Sequence, residues 1–320
     1  MILRIRPIRE DELLLYAQIG TPQKEAEIFA QNLQAMWSVG RSEAASCFVA
    51  EEQGQFVGRI VYRKPGSGTQ PSRTRIIAAE GWSLPWNGAY LDIGSRLVEG
   101  SLEYLKTAGV ATVTGKVISR WTQGEQIRAI LQEAGLPLEQ EKRAFVCNEP
   151  QKAVEVPRRL LFKSLLEVGE NAFIEVIERA LNGSLDQDDQ ERCAAEGRRE
   201  IAEEYFHPDQ EYFGYEPEWW TFAEDRNGNT VGFVQPAYFK DSDKGELKEG
   251  TVVYIGVVPE QRGHGYSVDL LLHATALLQR EGVWRILCDT DAQNLPMIEA
   301  FQKVGYAPYE TVWMYSKKLS

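Results

Sequence analysis

A chain of 320 residues with 43% hydrophobic and 26% charged side chains has a globular composition, is long for a single core, and suits two domains. Its 47 acidic residues outnumber 35 basic ones, for a net charge of -12, which argues against nucleic-acid binding because no cationic surplus exists to displace counterions from phosphates. No apolar run approaches the roughly 20 residues of a bilayer span, and Cys47, Cys147, Cys193 and Cys288 are too scattered for a zinc site or a disulfide framework, so the expectation is a soluble cytoplasmic protein with reduced thiols, no metal and no membrane association.

In chain order, Arg4, Arg6 and Arg9 alternate with apolar residues and read as a strand, not as a signal peptide with an apolar core. Helices are predicted over 11–20 and 23–37, a strand pair over 45–51 and 55–63, and a third strand over 74–81. A long helix, a strand and a shorter helix follow, the last opened by a Thr122/Glu125 capping box. A strand over 142–147 closes this half, and the polar stretch Asn148-Glu149-Pro150 marks a boundary. The second half reads alike: helices over 164–181 and 190–205, strands over 220–225, 230–238 and 251–258, a long helix, a strand over 284–289, a helix and closing strands. In the long helix Leu270, Leu271, Ala274, Leu277 and Leu278 mark one buried face.

The two halves repeat. Gly54-Gln55-Phe56-Val57-Gly58 parallels Gly228-Asn229-Thr230-Val231-Gly232, with Gly58 and Gly232 174 positions apart. Gly109 and Gly282 end equivalent helices 173 apart, and Gly135 and Gly305 end the next pair 170 apart. A period of domain length means two copies of one domain, 1–150 and 151–320, and not a solenoid. Strands that come first and then interleave with helices indicate an α+β, mixed α/β sandwich.

The chemistry concentrates in 254–267. A strand ending in Val257-Val258-Pro259 leads through Arg262-Gly263-His264-Gly265-Tyr266-Ser267 into the long helix. Glycine lets the backbone turn and approach a ligand closely. The helix start adds unpaired amides and partial positive charge, which suits a pyrophosphate, and Arg262 supplies a candidate bidentate phosphate contact. The Lys-Ser/Thr of a P-loop is missing after the glycines.

This segment resembles the acetyl-CoA signature of the GCN5-related N-acetyltransferases (GNAT). Arg262, Gly263 and Gly265 match it, and Ser267 stands where a final Gly or Ala is usual. Asn294, Gly305 and Tyr306 extend the resemblance, which covers 219–319 well and 163–218 loosely. It implies two tandem acyl-CoA N-acyltransferase-like domains, each a mostly antiparallel central sheet flanked by helices, the N-terminal one degenerate. It implies acetyl-CoA as co-substrate and an amine of a small molecule or peptide as acceptor. The third strand should splay from its neighbour. Backbone groups of Ile255 and Val257 should meet the thioester and the pantetheine arm, with Val258, Arg262, Gly263, His264, Gly265, Tyr266 and Ser267 around the coenzyme. Asn294 suits a helix N-cap and a coenzyme contact equally.

The pattern also breaks. The family's base position is Thr251 and its acid position is Phe301. Glu249 and Tyr306 are the substitutes considered, with Tyr254 ranked lower. In the N-terminal copy, 84–92 keeps one glycine, lacks arginine and carries Asp92, so the phosphate cradle is lost there. The aromatic run 212–220 reads as interdomain packing or an acceptor wall. The alternative function is a non-catalytic acyl-CoA-binding or regulatory module. Oligomeric state stays open, a homodimer included.

Overall fold

The computed structural model describes residues 3–65, 73–148, 159–240 and 247–319. Glu149 and Pro150, on which the predicted boundary rests, lie outside them. Contacts divide the chain into two units that are not its consecutive halves: Met1–Glu141 with Val312–Ser320, and Lys142–Thr311.

The N-terminal unit contains, in order, β1 (Leu3–Pro7), α1 (Leu13–Ala17), α2 (Gln23–Ser38), β2 (Cys47–Glu52), β3 (Gln55–Arg63), β4 (Thr74–Ile77), α3 (Tyr90–Thr107), β5 (Thr112–Ile118), α4 (Gly124–Glu133) and the start of β6 (Leu138–Asn148). Its sheet runs from β1 to β5 in sequence order, and residues 312–318 pair antiparallel with β5. Only the β4–β5 neighbours are parallel among these pairs. Leu97, Val98, Leu102 and Leu105 of α3 pack on Ile60, Val113 and Val117 of the sheet. The capping box expected at Thr122 does not form: the N-cap of α4 is Gln123, and Glu125 bonds Arg128 at 3.0 Å instead.

The C-terminal unit continues with β7 (Leu161–Ser164), α5 (Leu165–Val168), α6 (Glu170–Leu181), α7 (Gln187–Glu196), α8 (Arg198–Phe206), β8 (Phe213–Gly214), β9 (Thr221–Glu224), β10 (Thr230–Phe239), β11 (Glu249–Val257), α9 (Tyr266–Arg280), β12 (Arg285–Asp291), α10 (Leu295–Val304) and the start of β13 (Ala307–Lys318). Its strand order is β6–β12–β11–β10–β9–β7, with β8 also on β10. Each predicted early helix here is two, broken at Gly169 and Gly197. Leu270 and Ala274 of α9 pack on Val252, Ile255 and Val257, while Phe173, Ile177 and Ile201 build the larger core with Phe233. Of the aromatic run 212–220, Trp220 is fully buried in this unit's own core, with Tyr215 stacked on it at 4.2 Å, while Tyr212 is 48% exposed.

Both units are thus mostly antiparallel sheets flanked by helices. Among the described residues no helix is long and apolar enough to cross a membrane.

Candidate active site

The strand β11 has two different edges. Toward β10 it is paired antiparallel from Val257 back to Gly250, with a register shift between Gln235 and Pro236 that leaves Val253 without an opposite residue. Toward β12 it is paired in parallel only at Glu249↔Arg285 and Gly250↔Ile286. Beyond Gly250 the two strands part, as expected of a strand bent by a bulge. The parted edge offers unpaired backbone groups to an extended ligand, the way a sheet edge accepts an added strand.

Alternation decides which amides face that gap. The Val258 amide donates to the Val231 carbonyl at 2.9 Å, on the β10 side. In extended backbone the groups of Val257 therefore turn the other way, Gly256 turns back, and Ile255 turns to the gap again. Val258 itself does not present to a ligand: its carbonyl accepts from Gln261 at 3.0 Å and its side chain is buried in the core. That corrects its assignment as a coenzyme contact.

After the turn at Pro259–Gln261 the chain passes through two left-handed residues, Gly263 (φ 81°) and Gly265 (φ 75°), and Gly265 is the N-cap of α9. At Gly263 a Cβ would have nothing within 4 Å, so conformation, not crowding, calls for glycine. Among the described residues the amides of Gly263, His264, Gly265, Tyr266 and Ser267 donate no hydrogen bond. Five consecutive free donors at the positive end of a 15-residue helix form a cradle that fits a diphosphate.

Arg262 is the principal correction within this loop. Its guanidinium is not free for phosphate. Nε donates to the Val257 carbonyl at 3.1 Å, and the two terminal nitrogens donate to Gly183 (2.9 Å) and Ala180 (2.7 Å). The last two carbonyls lie at the C-terminal end of α6, where a cation is favourable. Arg262 thus ties the loop to α6 and to the end of β11. A second arginine, Arg159, donates to the His264 carbonyl at 3.2 Å, pairs with buried Asp269 and lies 5.2 Å above the Tyr266 ring. Burial raises the Asp269 carboxyl above its ordinary range, partly offset by Arg159. The His264 ring stays near its own loop, with Nδ1 3.2 Å from the Gln261 carbonyl and the ring stacked toward Tyr266.

Each substitute acid–base residue already has a partner. Glu249 stands at the closed end of the splay, held by Arg285 at 2.5 Å. Six residues of extended strand, about 20 Å, separate it from Ile255. Tyr306 is buried at 2% exposure, its hydroxyl 2.9 Å from Thr275 Oγ1 and its ring beside Phe301. Burial raises its phenol well above the ordinary range. Phe301 is stacked on Phe145 at 4.9 Å. Asn294 is an N-cap, accepting from the Met297 amide at 3.4 Å and donating to Thr290 Oγ1 at 3.1 Å.

Sequence reasoning missed a polar group beside Tyr254. Asp189, on α7, is buried and accepts from Ser184 (2.6 Å), Tyr205 (2.7 Å) and Tyr254 (2.8 Å). Burial first, and Asp189 second, raise both phenols above their ordinary range. The signal lay in the acidic run Asp186-Gln187-Asp188-Asp189, which reads locally as an ordinary solvated helix start.

Residues 187–306 match the family model described as Acetyltransferase (GNAT) family. A mycothiol acetyltransferase of Arthrobacter sp. (strain FB24) is 28% identical over 108 residues, which are 32% of this chain and 32% of that protein. Another, of Pseudarthrobacter chlorophenolicus, is 29% identical over 105 residues, 32% of this chain and 31% of that one. The chain thus spans about a third of the length of these curated relatives. The crystal structure of a GCN5-related N-acetyltransferase from Sphaerobacter thermophilus shares the fold, with a TM-score of 0.55 over 99% of this chain and 96% of its own at 15% identity. The splayed strand, the free amides before α9 and the matched segment agree in likening the C-terminal unit to the GNAT family of acetyltransferases.

Proposed function

We propose that the C-terminal unit transfers an acetyl group from acetyl-CoA to the amine of a small molecule or peptide. The observation that carries this reading is the juxtaposition of the β11 edge beyond Gly250 with the five free amides at 263–267. The coenzyme supplies an acyl group already activated as a thioester. This chain's part is to hold the diphosphate on the amides of Gly263 to Ser267 and the arm along Ile255 and Val257. A backbone N–H at Ile255 aimed at the thioester carbonyl would stabilise the developing oxyanion. Arg262 and Arg159 support the loop from behind, leaving its amides open.

The N-terminal unit, in this reading, is a copy that keeps the fold without the cradle. There β4 pairs with β5 along all four of its residues. Ala89 with φ -81° stands at the N-cap of α3 in place of a left-handed glycine, and Asp92 occupies the first turn.

A non-catalytic acyl-CoA-binding module is the second reading, favoured by Thr251 and Phe301 at the family's base and acid positions and by the remoteness of Glu249. Two measurements on the full chain separate the possibilities. Calorimetry with acetyl-CoA is expected to show binding, and its absence defeats both readings. Thiol release in the presence of primary amines is expected for the enzyme, whereas tight binding without turnover on any amine leaves the module.

A further inference from the structure

Two buried acceptors beside β11, Asp189 and Gln235, are incompletely matched among the described residues. Asp189 is 3% exposed, and its carboxyl is held by the three hydroxyls of Ser184, Tyr205 and Tyr254; among the described residues no cationic side chain bonds it. Gln235 is 0% exposed and stands opposite Tyr254 in the β10–β11 ladder, so both side chains leave the same face of the sheet. Its Nε2 donates to the Tyr205 carbonyl at 3.2 Å, while its Oε1 has no partner among the described residues. Exchanging the amide's oxygen and nitrogen would set two oxygens against each other at Tyr205, so the bonding fixes this orientation. A buried polar atom without a partner requires an explanation.

Asp189 thus holds the hydroxyls of Tyr205 and Tyr254, while Gln235 bonds the Tyr205 carbonyl and stands opposite Tyr254 in the ladder. One lacks a cation and the other lacks a donor. A primary ammonium supplies both at once, with three N–H donors and a positive charge. Tyr254 directly precedes Ile255 on β11, its side chain leaving the opposite face of the strand. The surroundings of Asp189 are acidic: Asp186 and Asp188 flank it on the same turn, and burial raises both carboxyls. The cations nearby are already engaged, Lys142 with Asp289 and Arg192 with Glu204.

We propose that Asp189 and Gln235 Oε1 receive the ammonium of the acceptor, and that Asp189 takes the proton that must leave before the nitrogen can attack. This rests on the acyl-transfer reading above, and it replaces the base missing at Thr251. The proton passes from ammonium to the Asp189 carboxyl. The freed nitrogen lone pair forms the C–N bond, the C–S bond breaks, and the nitrogen's next proton leaves with the thiolate as free thiol. Asp189 then returns its proton to water.

The test uses the full chain with acetyl-CoA and four primary amines: glucosamine, tyramine, lysine and spermidine. Asp189→Asn is expected to lower kcat/KM for each accepted amine by about 100-fold or more, the scale of a lost general base, with acetyl-CoA affinity unchanged and partial recovery in Asp189→Glu. Activity of Asp189→Asn within about threefold of the wild type, under 1 kcal/mol by the relation of rate to free energy, would overturn the assignment. Should Asp189→Asn lose acetyl-CoA binding through misfolding, Gln235→Leu decides: a raised amine KM at unchanged kcat supports the site, and an unchanged KM sinks it. If the wild type turns over none of the amines, or binds no acetyl-CoA so that the acyl-transfer reading itself fails, calorimetry with the amines decides. Heat present in the wild type and absent in Asp189→Asn keeps the ammonium site, and no heat in the wild type removes it.

Discussion

Arg262 illustrates how a correctly located residue can hold a different role from the one its chemistry first suggests. Next to two glycines, an arginine reads as a phosphate ligand. In the fold its three contacts are the carbonyls of Val257, Ala180 and Gly183. The two roles predict different responses to Arg262→Lys. A phosphate ligand would tolerate lysine as a point charge, but one ammonium cannot span carbonyls on three segments. Arg262→Lys and Arg262→Ala are therefore expected to weaken acetyl-CoA binding alike, by about tenfold, or 1.4 kcal/mol, as read by calorimetry; a lysine variant with native affinity would return Arg262 to the phosphate. Legibility at this scale followed sequence distance. Gly263, Gly265 and the N-cap role of Asn294 depend on neighbours within a few positions and were readable. Val258, Glu249 and Tyr306 depend on partners 27, 36 and 31 positions away (Val231, Arg285 and Thr275), and no local pattern reports those.

At the scale of elements, α9 both presents the free amides and packs on the sheet. On that sheet-facing side His273 lies flat on Phe162 of β7, ring centroids 3.7 Å apart and 7° from parallel. Burial first, and Arg280 second, lower its pKa from 6.5 to about 4. The sign follows directly. Between pH 6.5 and about 4 the unfolded histidine binds a proton and the folded one does not, so stability present above pH 6.5 is lost as pH falls through that window. His273→Leu is expected to flatten this acid loss in thermal unfolding followed from pH 7 to pH 4, and an unchanged pH profile would contradict the burial argument. The periodicity of α9 and the strand pair before it were legible because each element has one apolar face. The breaks at Gly169 and Gly197 were not, because a lone glycine inside an apolar repeat is compatible with an unbroken helix. The parting of β11 from β12 is a tertiary event, and here only the family resemblance anticipated it.

For the whole molecule, the repeat is legible in the sequence but the composition of each unit is not. The unit Lys142–Thr311 takes the strand 142–148 from before the predicted boundary, and the other unit takes 312–318 from the end of the chain. A fragment of residues 151–320 would leave the β12 edge that pairs with 142–148 bare and remove the Phe145 stack from Phe301. An uncovered edge of this kind favours aggregation. The fragment is expected to be insoluble or to unfold at a lower temperature than the intact chain, whereas one starting at residue 138 recovers part of the loss; equal melting of the shorter fragment and the full chain would contradict this. The central claim is that main-chain amides at 263–267 grip the coenzyme diphosphate. Hydrogen exchange of the full chain, with and without acetyl-CoA, tests it most directly. Those five amides have no partner among the described residues and are predicted to exchange fast in the free protein and to become protected on saturation. Bound acetyl-CoA that leaves them exchanging as fast as before would contradict the account.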